Sequence, residues 1–238
     1  NVDIILNNGL FDFKKKFLDS IISQSNHLKK NIKFEKNYSK RIEMLTALLL
    51  SGLVFKEYID NYNIAIKELE KLVKSYFDQD GFPLTRNPSD LIFFSKYLIL
   101  CRECIKDAQQ YVPDFLENII DNNIICVKNI LTPNDNVPLF NGGVEEDVQE
   151  FNKFVDDLDY KSKDKKNIIG GIQIFKFKES LIFFDVGNPP NKSFSNSYQS
   201  GPLSFEYYLD GRKIITNCGF GSNISPKAEL LSRLTSAQ

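Results

Sequence analysis

The chain has 238 residues, and 30 basic against 31 acidic side chains leave a formal charge of −1. This balance argues against a nucleic-acid partner, which would need a strongly basic face, and no apolar run reaches the ~18 residues of a transmembrane segment. A hydrophobic share of 42% with 26% charged residues is typical of globular proteins. We therefore expect a soluble globular protein.

The first half of the chain, to about Leu131, shows the periodicity of amphipathic helices. Pro88 and Pro113 favour helix starts, because proline is tolerated in the first turn, and Pro133 favours a stop. Short connections between the helices predict antiparallel helical hairpins. After a first helix that ends near His27, the predicted helices are Arg41–Tyr58, Ile64–Phe77, Pro88–Ala108 and Pro113–Leu131.

The segment from Thr132 to Asn167 loses this periodicity and contains prolines, glycines and short charged runs. Loops of this length are uncommon unless they are functional or join domains. We interpret the segment as a crossover between two layers. The predicted domain boundaries are 1–132 for the helical part, 133–167 for the linker and 168–238 for the β part.

The last part of the chain alternates apolar and polar residues, as strands do. Asp210-Gly211 is a strong hairpin signal, because both central residues of a type I′ turn need positive φ. About four strands are visible, too few for a closed sandwich. The predicted fold class is therefore α+β, with a helical domain followed by the start of an antiparallel β-sandwich. The predicted strands are Ile172–Phe177, Leu181–Val186, Leu203–Leu209 and Lys213–Asn217.

Three motifs, in order along the chain, resemble those of one protein family. The first is Asp80-Gly81 followed by Arg86-x-Pro88, and the second is Leu139-Phe140-Asn141-Gly142-Gly143. The third and longest comprises Phe184-Asp185-x-Gly187-x-Pro189-Pro190, then Gly201-x-Leu203-Ser204-Phe205-Glu206, then Asn217-Cys218-Gly219. Together they are similar to the heparinase II/III-like family of polysaccharide lyases, in a bacterial branch. The chain resembles a fragment that spans the end of the toroid and the start of the sandwich.

This resemblance implies an incomplete (α/α) toroid of helical hairpins followed by an antiparallel β-sandwich. It also implies a carbon–oxygen lyase that cleaves uronate-containing acidic polysaccharides by β-elimination. In that reaction a base removes the proton beside the uronate carboxylate, a polar group neutralises this carboxylate, and an acid protonates the leaving oxygen. The resemblance suggests a periplasmic or secreted protein, and we expect no cofactor and no metal.

The candidate site residues follow from the same motifs. Arg86 is a candidate for neutralising the uronate, or alternatively a tether between its loop and an acidic neighbour. Asn87 and Asn141 are candidate substrate-binding residues, although each could equally be a turn residue. Gln199 is a candidate carboxylate binder, and Tyr198 is the candidate proton-transfer group. A phenol with a pKa near 10 would need cationic neighbours before it could serve as a base.

The sequence departs from the family pattern at its proton-transfer positions. Gln199 and Gln238 stand where the family has histidines, Gly201 replaces an aspartate, and Asp90-Leu91 replaces a Tyr-His pair. Glutamine cannot exchange a proton at neutral pH, although it can donate to a carboxylate. These differences keep open an alternative from another class, a catalytically impaired relative that acts as a glycan-binding or assembly protein.

The remaining chemically reactive side chains favour structural interpretations. The only histidine, His27, is expected at the end of the first helix, exposed to solvent. Cys101 and Cys104 form a C-x-x-C within an apolar helix and are expected to pack in a core. Cys126 and Cys218 are likewise predicted to be buried thiols.

Overall fold

The computed structural model describes residues 11–55, 58–145, 148–158, 160, 165–199 and 201–234. Helices occupy the first half of these residues, and an antiparallel sheet follows, so the predicted α+β order is confirmed. The helices are α1 (Phe11–Asn31), α2 (Tyr38–Val54), α3 (Ile59–Tyr76), α4 (Pro88–Asp107), α5 (Asp114–Ile130), α6 (Gln149–Asp157) and α7 (Pro226–Ser232). The strands are β1 (Ile168–Ile169), β2 (Ile172–Phe177), β3 (Ser180–Asp185), β4 (Phe205–Leu209) and β5 (Arg212–Ile215).

The chain divides into two compact units. The first comprises residues 1–72 and 103–111, and the second comprises residues 73–102 and 112–238. In the first unit the Asn37 side chain caps α2 by accepting a hydrogen bond from the Lys40 amide at 3.0 Å. Leu45 and Leu49 of α2 and Leu69 of α3 are almost completely buried. The apolar stripes that predicted these helices therefore form the core of this unit.

The second unit has an aromatic core with residues from both helices and strands. Its largest fully buried side chains are those of Phe82, Phe94, Phe140, Phe183 and Tyr208. These residues come from distant parts of the sequence, so their burial packs the helices of this unit against its sheet. Helix α5 contributes to the same unit and begins after Pro113, as predicted.

The crossover region contains a helix that the sequence analysis missed. Phe151 and Val155 on α6 are buried, and the Asn152 side chain donates to Asp135 Oδ1 at 3.0 Å. The helix has nine residues and no side-chain cap at its N-terminus, so its sequence signal is weak. The boundaries 1–132, 133–167 and 168–238 remain a prediction.

The five strands form one sheet in the order β1-β2-β3-β4-β5, with all neighbours antiparallel. Strands β4 and β5 are joined by Asp210-Gly211, and both residues have positive φ, 51° and 75°. The predicted hairpin is thus confirmed, because these angles are those that the turn requires. Glycines also join β1 to β2, where Gly170 and Gly171 have positive φ.

The two faces of the sheet differ in burial. The face with Ile172, Phe183 and Tyr208 is buried. The opposite face is also apolar, but it is partly exposed to solvent. Cross-strand neighbours on this open face include Phe175, Ile182, Tyr207 and Ile215, flanked by Phe177, Phe184, Phe205 and Leu209. We call this surface the outer face of the sheet.

Among the described residues, no helix has both the length and the apolar composition that a bilayer crossing requires. His27 is exposed on α1, as expected. Cys101 and Cys126 are buried and Cys104 is half-buried, but the burial predicted for Cys218 is wrong. Cys218 follows the last strand, in a segment without regular structure, where its side chain is exposed.

The turn at Gly211 provides a test of the hairpin. Gly211→Ala should lower the free energy of unfolding by about 1 kcal/mol, because a Cβ disfavours the left-handed conformation. Gly211→Asn should cost less, since asparagine tolerates this conformation. A Cβ here would meet nothing nearer than Pro133 Cβ at 3.9 Å, so steric clash does not contribute. Urea denaturation of both variants measures the difference, and an equal loss for Ala and Asn would contradict the argument.

Candidate functional site

The site is organised by the loop between α3 and α4, which contains the first motif. Asp78 Oδ1 accepts hydrogen bonds from the amides of Asp80 and Phe82 at 2.9 and 2.8 Å. Helix α5 supports the same loop, because the Asn123 side chain donates to the Gly81 carbonyl. These contacts fix the loop locally and present Arg86 towards the sheet. Burial raises the pKa of Asp78, the two amide hydrogen bonds opposing it.

The guanidinium of Arg86 is buried, and each of its three nitrogens binds an acceptor near the ends of the strands. Nε donates to the Gly170 carbonyl at 2.8 Å, and Nη2 pairs with the Asp185 carboxylate. Its other hydrogen bonds go to the carbonyls of Gly171, Gly187 and Asn188. With these contacts all five N–H groups of the guanidinium can be satisfied within the protein. This network supports the tether alternative for Arg86.

The second motif approaches the same ion pair from another direction. The Asn141 side chain donates to the Arg86 carbonyl at 3.2 Å and to Asp185 Oδ2 at 3.5 Å. Asn141 and Gly142 both have positive φ, which turns the chain back beside the ion pair. A Cβ on Gly142 would lie 2.4 Å from Ser197 Cβ, so a side chain there would collide with the loop before Tyr198.

Gln199 joins the second and third motifs. Its side-chain oxygen accepts a hydrogen bond from the Gly142 amide at 3.2 Å, and its nitrogen donates to the Gly219 carbonyl at 2.6 Å. The residue is only 1% exposed. In this arrangement the amide links two glycine-containing loops, and it lies beneath the surface rather than along it.

Glu206 is a buried group to which the sequence analysis assigned no role, although it lies within the third motif. Its Oε1 accepts hydrogen bonds from the amides of Leu139 and Asn217 and from the Thr216 hydroxyl. Its Oε2 accepts one from the Tyr208 hydroxyl at 2.9 Å, and burial raises the pKa of this phenol. Glu206 therefore connects the second motif to β4 and to the segment after β5.

Asn87 begins helix α4 as a turn residue. Its side-chain oxygen accepts a hydrogen bond from the Ser89 amide at 2.9 Å, and its nitrogen lies 3.4 Å from Asp90 Oδ1. Asp90 also accepts from the hydroxyls of Tyr76 and Thr85. Burial raises the pKa of Asp90, and these hydroxyl hydrogen bonds oppose the shift. The contacts of Asn87 support the turn alternative.

Tyr198 differs from the other candidates because its side chain is only half-buried. Burial raises the pKa of its phenol, the negative charge of Asp185 adds to the shift, and the positive charge of Arg86 opposes it. A phenol with a raised pKa is fully protonated at neutral pH. It is therefore better suited to donate a proton than to accept one.

The structure thus brings all five candidates into the second unit, around one ion pair. Arg86, Asn87, Asn141 and Gln199 are buried, whereas Tyr198 is partly accessible. The motifs themselves do not indicate that these side chains are buried. The basic Arg86 in the first motif and the acidic Asp185 in the third were nevertheless a signal that the two residues could pair. Gln238, the position that matches the second family histidine, lies outside the described residues.

Comparison with known proteins identifies the fold. Residues 166–238 match the family model described as heparinase II/III-like, C-terminal. A crystal structure of heparinase III superimposes with a TM-score of 0.77 at 16% identity, covering 98% of this chain and 43% of that one. Heparan sulfate lyase HepC from Pedobacter heparinus gives 0.73 at 18% identity, with 94% and 40% covered. A further heparinase III structure gives 0.78 at 15% identity, with 95% and 40% covered.

These matches confirm the predicted resemblance to the heparinase II/III-like family and the predicted fold class. The chain spans about two fifths of the length of the solved structures that it matches. No curated protein matches the sequence significantly.

The central ion pair can be tested by its effect on stability. Arg86→Met and Asp185→Asn should each lower the free energy of unfolding by about 3–5 kcal/mol, because each leaves a buried charge unpaired. The double variant should lose less than the sum of the two, as expected for one shared interaction. Urea denaturation at pH 7 provides the measurement.

Lys106→Met is the matched control, since Lys106 pairs with Glu103 on the surface. Surface pairs contribute at most about 1 kcal/mol. If Arg86→Met costs no more than Lys106→Met, the ion pair does not hold the site together.

Proposed function

We propose that this chain is part of a polysaccharide lyase that cleaves uronate-containing acidic glycans by β-elimination. One observation carries the proposal: three separate motifs converge on the Arg86–Asp185 pair, and both charges of this pair act on the half-buried phenol of Tyr198. The names of the structural neighbours, heparinase III and heparan sulfate lyase, support glycosaminoglycans as the substrate class.

In β-elimination the proton beside the uronate carboxylate leaves to a base, a carbon–carbon double bond forms, and the bond to the leaving oxygen breaks. The leaving oxygen then needs a proton, and a phenol is protonated at neutral pH, a state that the raised pKa of Tyr198 maintains. We assign this donation to Tyr198. Arg86, Asn87, Asn141 and Gln199 act in this proposal as positioning residues, since their contacts hold the loops around the Arg86–Asp185 pair.

Removal of the phenol hydroxyl tests this assignment. Tyr198→Phe should lower the rate of product formation by about 10²-fold or more, because the leaving oxygen loses its proton donor. The assay follows the ultraviolet absorbance of the unsaturated uronate product on a panel of uronate polysaccharides. Tyr207→Phe is the matched control, because Tyr207 lies on the outer face of the sheet, and its activity should be unchanged.

A wild-type protein that binds these glycans without producing any unsaturated product would contradict the lyase proposal. That result would favour the glycan-binding alternative.

The pH dependence of the reaction gives a second test. A general acid acts in its protonated form, so its contribution persists below its pKa and is lost as the pH rises through that value. The pKa of Tyr198 is raised from 10.0, chiefly by burial. We therefore expect kcat to show no alkaline decline from Tyr198 between pH 7 and pH 10. An alkaline limb below pH 10 that disappears in Tyr198→Phe would show that Tyr198 has a lowered pKa instead.

A further inference from the structure

A pocket of about 300 Å³ opens beside Arg86, within the second unit. Backbone atoms of glycines form one part of its lining, and prolines with Phe194 form an apolar part. Asp78 is the one carboxylate among the lining residues, which are Asp78, Pro83, Leu84, Arg86, Gly170, Gly171, Gly187, Asn188, Pro189, Pro190, Asn191 and Phe194. This volume is at the lower end of the range for small-molecule sites, so it suits one small ring rather than a long chain.

The carboxylate of Asp78 is held in a fixed orientation. Both hydrogen bonds that it accepts from described residues, from the amides of Asp80 and Phe82, go to Oδ1. The second oxygen, Oδ2, is therefore available to accept from a ligand. Hydrogen bonds to an ionised carboxylate are stronger than those between neutral groups, and here no reorganisation of the side chain is needed.

The charges around the pocket disfavour an anionic ligand. Arg86 lines the pocket, but its guanidinium is paired with Asp185 and surrounded by backbone carbonyls. Lys166 is a nearby cation, and its ammonium binds Asp80 at 2.6 Å. A carboxylate or sulfate entering the pocket would therefore face the negative charge of Asp78, while Arg86 and Lys166 are already paired with carboxylates. Lys192, between the lining residues Asn191 and Phe194, is exposed to solvent.

The apolar part of the lining complements the carboxylate. Phe194 is fixed by an edge-on contact with Tyr76, with ring centroids 6.0 Å apart. Pro189 and Pro190 provide rigid apolar surface with little conformational entropy to lose. A sugar ring has hydroxyls that donate to a carboxylate and a C–H face that packs on apolar surface, so it matches both parts of this pocket.

We propose that this pocket binds an uncharged sugar residue of the glycan, one that has neither a carboxylate nor a sulfate group. Its hydroxyls donate to Asp78, and its apolar face packs on Pro189, Pro190 and Phe194. This proposal rests on the proposed function in that it assumes a glycan ligand. It deepens that function by assigning the neutral sugar to the pocket and the uronate to a position outside it.

The test measures monosaccharide binding to the full 238-residue chain by protein-observed NMR. The probes are N-acetylglucosamine and methyl glucoside, with glucuronic acid as the anionic comparison. We expect millimolar binding of the neutral probes, with shifts at the amides of Gly170, Gly171 and Asn191, and weaker binding of glucuronic acid. Preference for glucuronic acid, or no binding of the neutral probes, would overturn the proposal.

Asp78→Asn should weaken neutral-probe binding by about tenfold or more, because a charge-assisted acceptor is lost. The amide oxygen can still accept from the two backbone N–H groups, so the loop should keep its conformation. Asp80→Asn is the matched control, since it removes a neighbouring charge that does not line the pocket. Equal weakening in the two variants would overturn the assignment to Asp78.

Asn191→Trp is a second variant, in case Asp78→Asn unfolds the loop. Asn191 is exposed at the pocket rim and makes no side-chain cap, so a large ring there fills the pocket without disturbing the core. Neutral-probe binding should fall below detection, and unchanged binding would place the sugar elsewhere.

The two proposals can fail separately. If the neutral probes bind in a way that depends on Asp78 but no glycan gives an unsaturated product, the sugar-pocket proposal stands and the lyase proposal fails. If Tyr198→Phe abolishes product formation but no monosaccharide binds, the lyase proposal stands and the sugar-pocket proposal fails.

Discussion

The buried pair of Arg86 and Asp185 is the interaction on which the rest of the site depends. A buried guanidinium is costly unless every N–H finds an acceptor, so the chain must bring several carbonyls to one point. Glycine positions follow from this requirement. A Cβ on Gly187 would lie 2.4 Å from Arg86 Nη2, and one on Gly171 would lie 2.8 Å from it. The strand ends can approach the guanidinium only because these positions have no side chain.

A second buried carboxylate, that of Glu206, binds the same motif as Asp185 of this pair. It holds the start of the second motif, while Asp185 holds the middle residue of that motif, Asn141. Most polar groups of the site therefore form hydrogen bonds within the protein that hold its loops in place. Such a framework leaves few side chains to contact a ligand directly, and those few are held in place by backbone hydrogen bonds or by aromatic packing. Tyr198 and Asp78 are two that are partly accessible from the surface.

How far the sequence predicted this arrangement depended on the kind of signal. Helices α2 to α5 and the hairpin at Asp210-Gly211 follow from local periodicity and turn chemistry, and these were predictable within a few residues. Helix α6 was missed because its signal is short and its stability comes from burying Phe151 and Val155. For the site, the motifs led to loops that meet around one ion pair. Whether Gln199 faces a ligand or another loop depends on contacts between distant segments, which no local pattern encodes.

The outer face of the sheet has a practical consequence for the isolated chain. Phe175 and Phe177 are 54% and 72% exposed, and Leu209 and Ile215 lie across the neighbouring strands. Sideways growth of the sheet is limited, because the edge strand β5 is short and begins with Arg212 and Lys213. No described residue comparably protects the broad apolar surface, and large exposed patches of this kind promote association. Colloidal stability should therefore worsen as concentration rises, and it should improve when Phe177 is replaced by a charged residue.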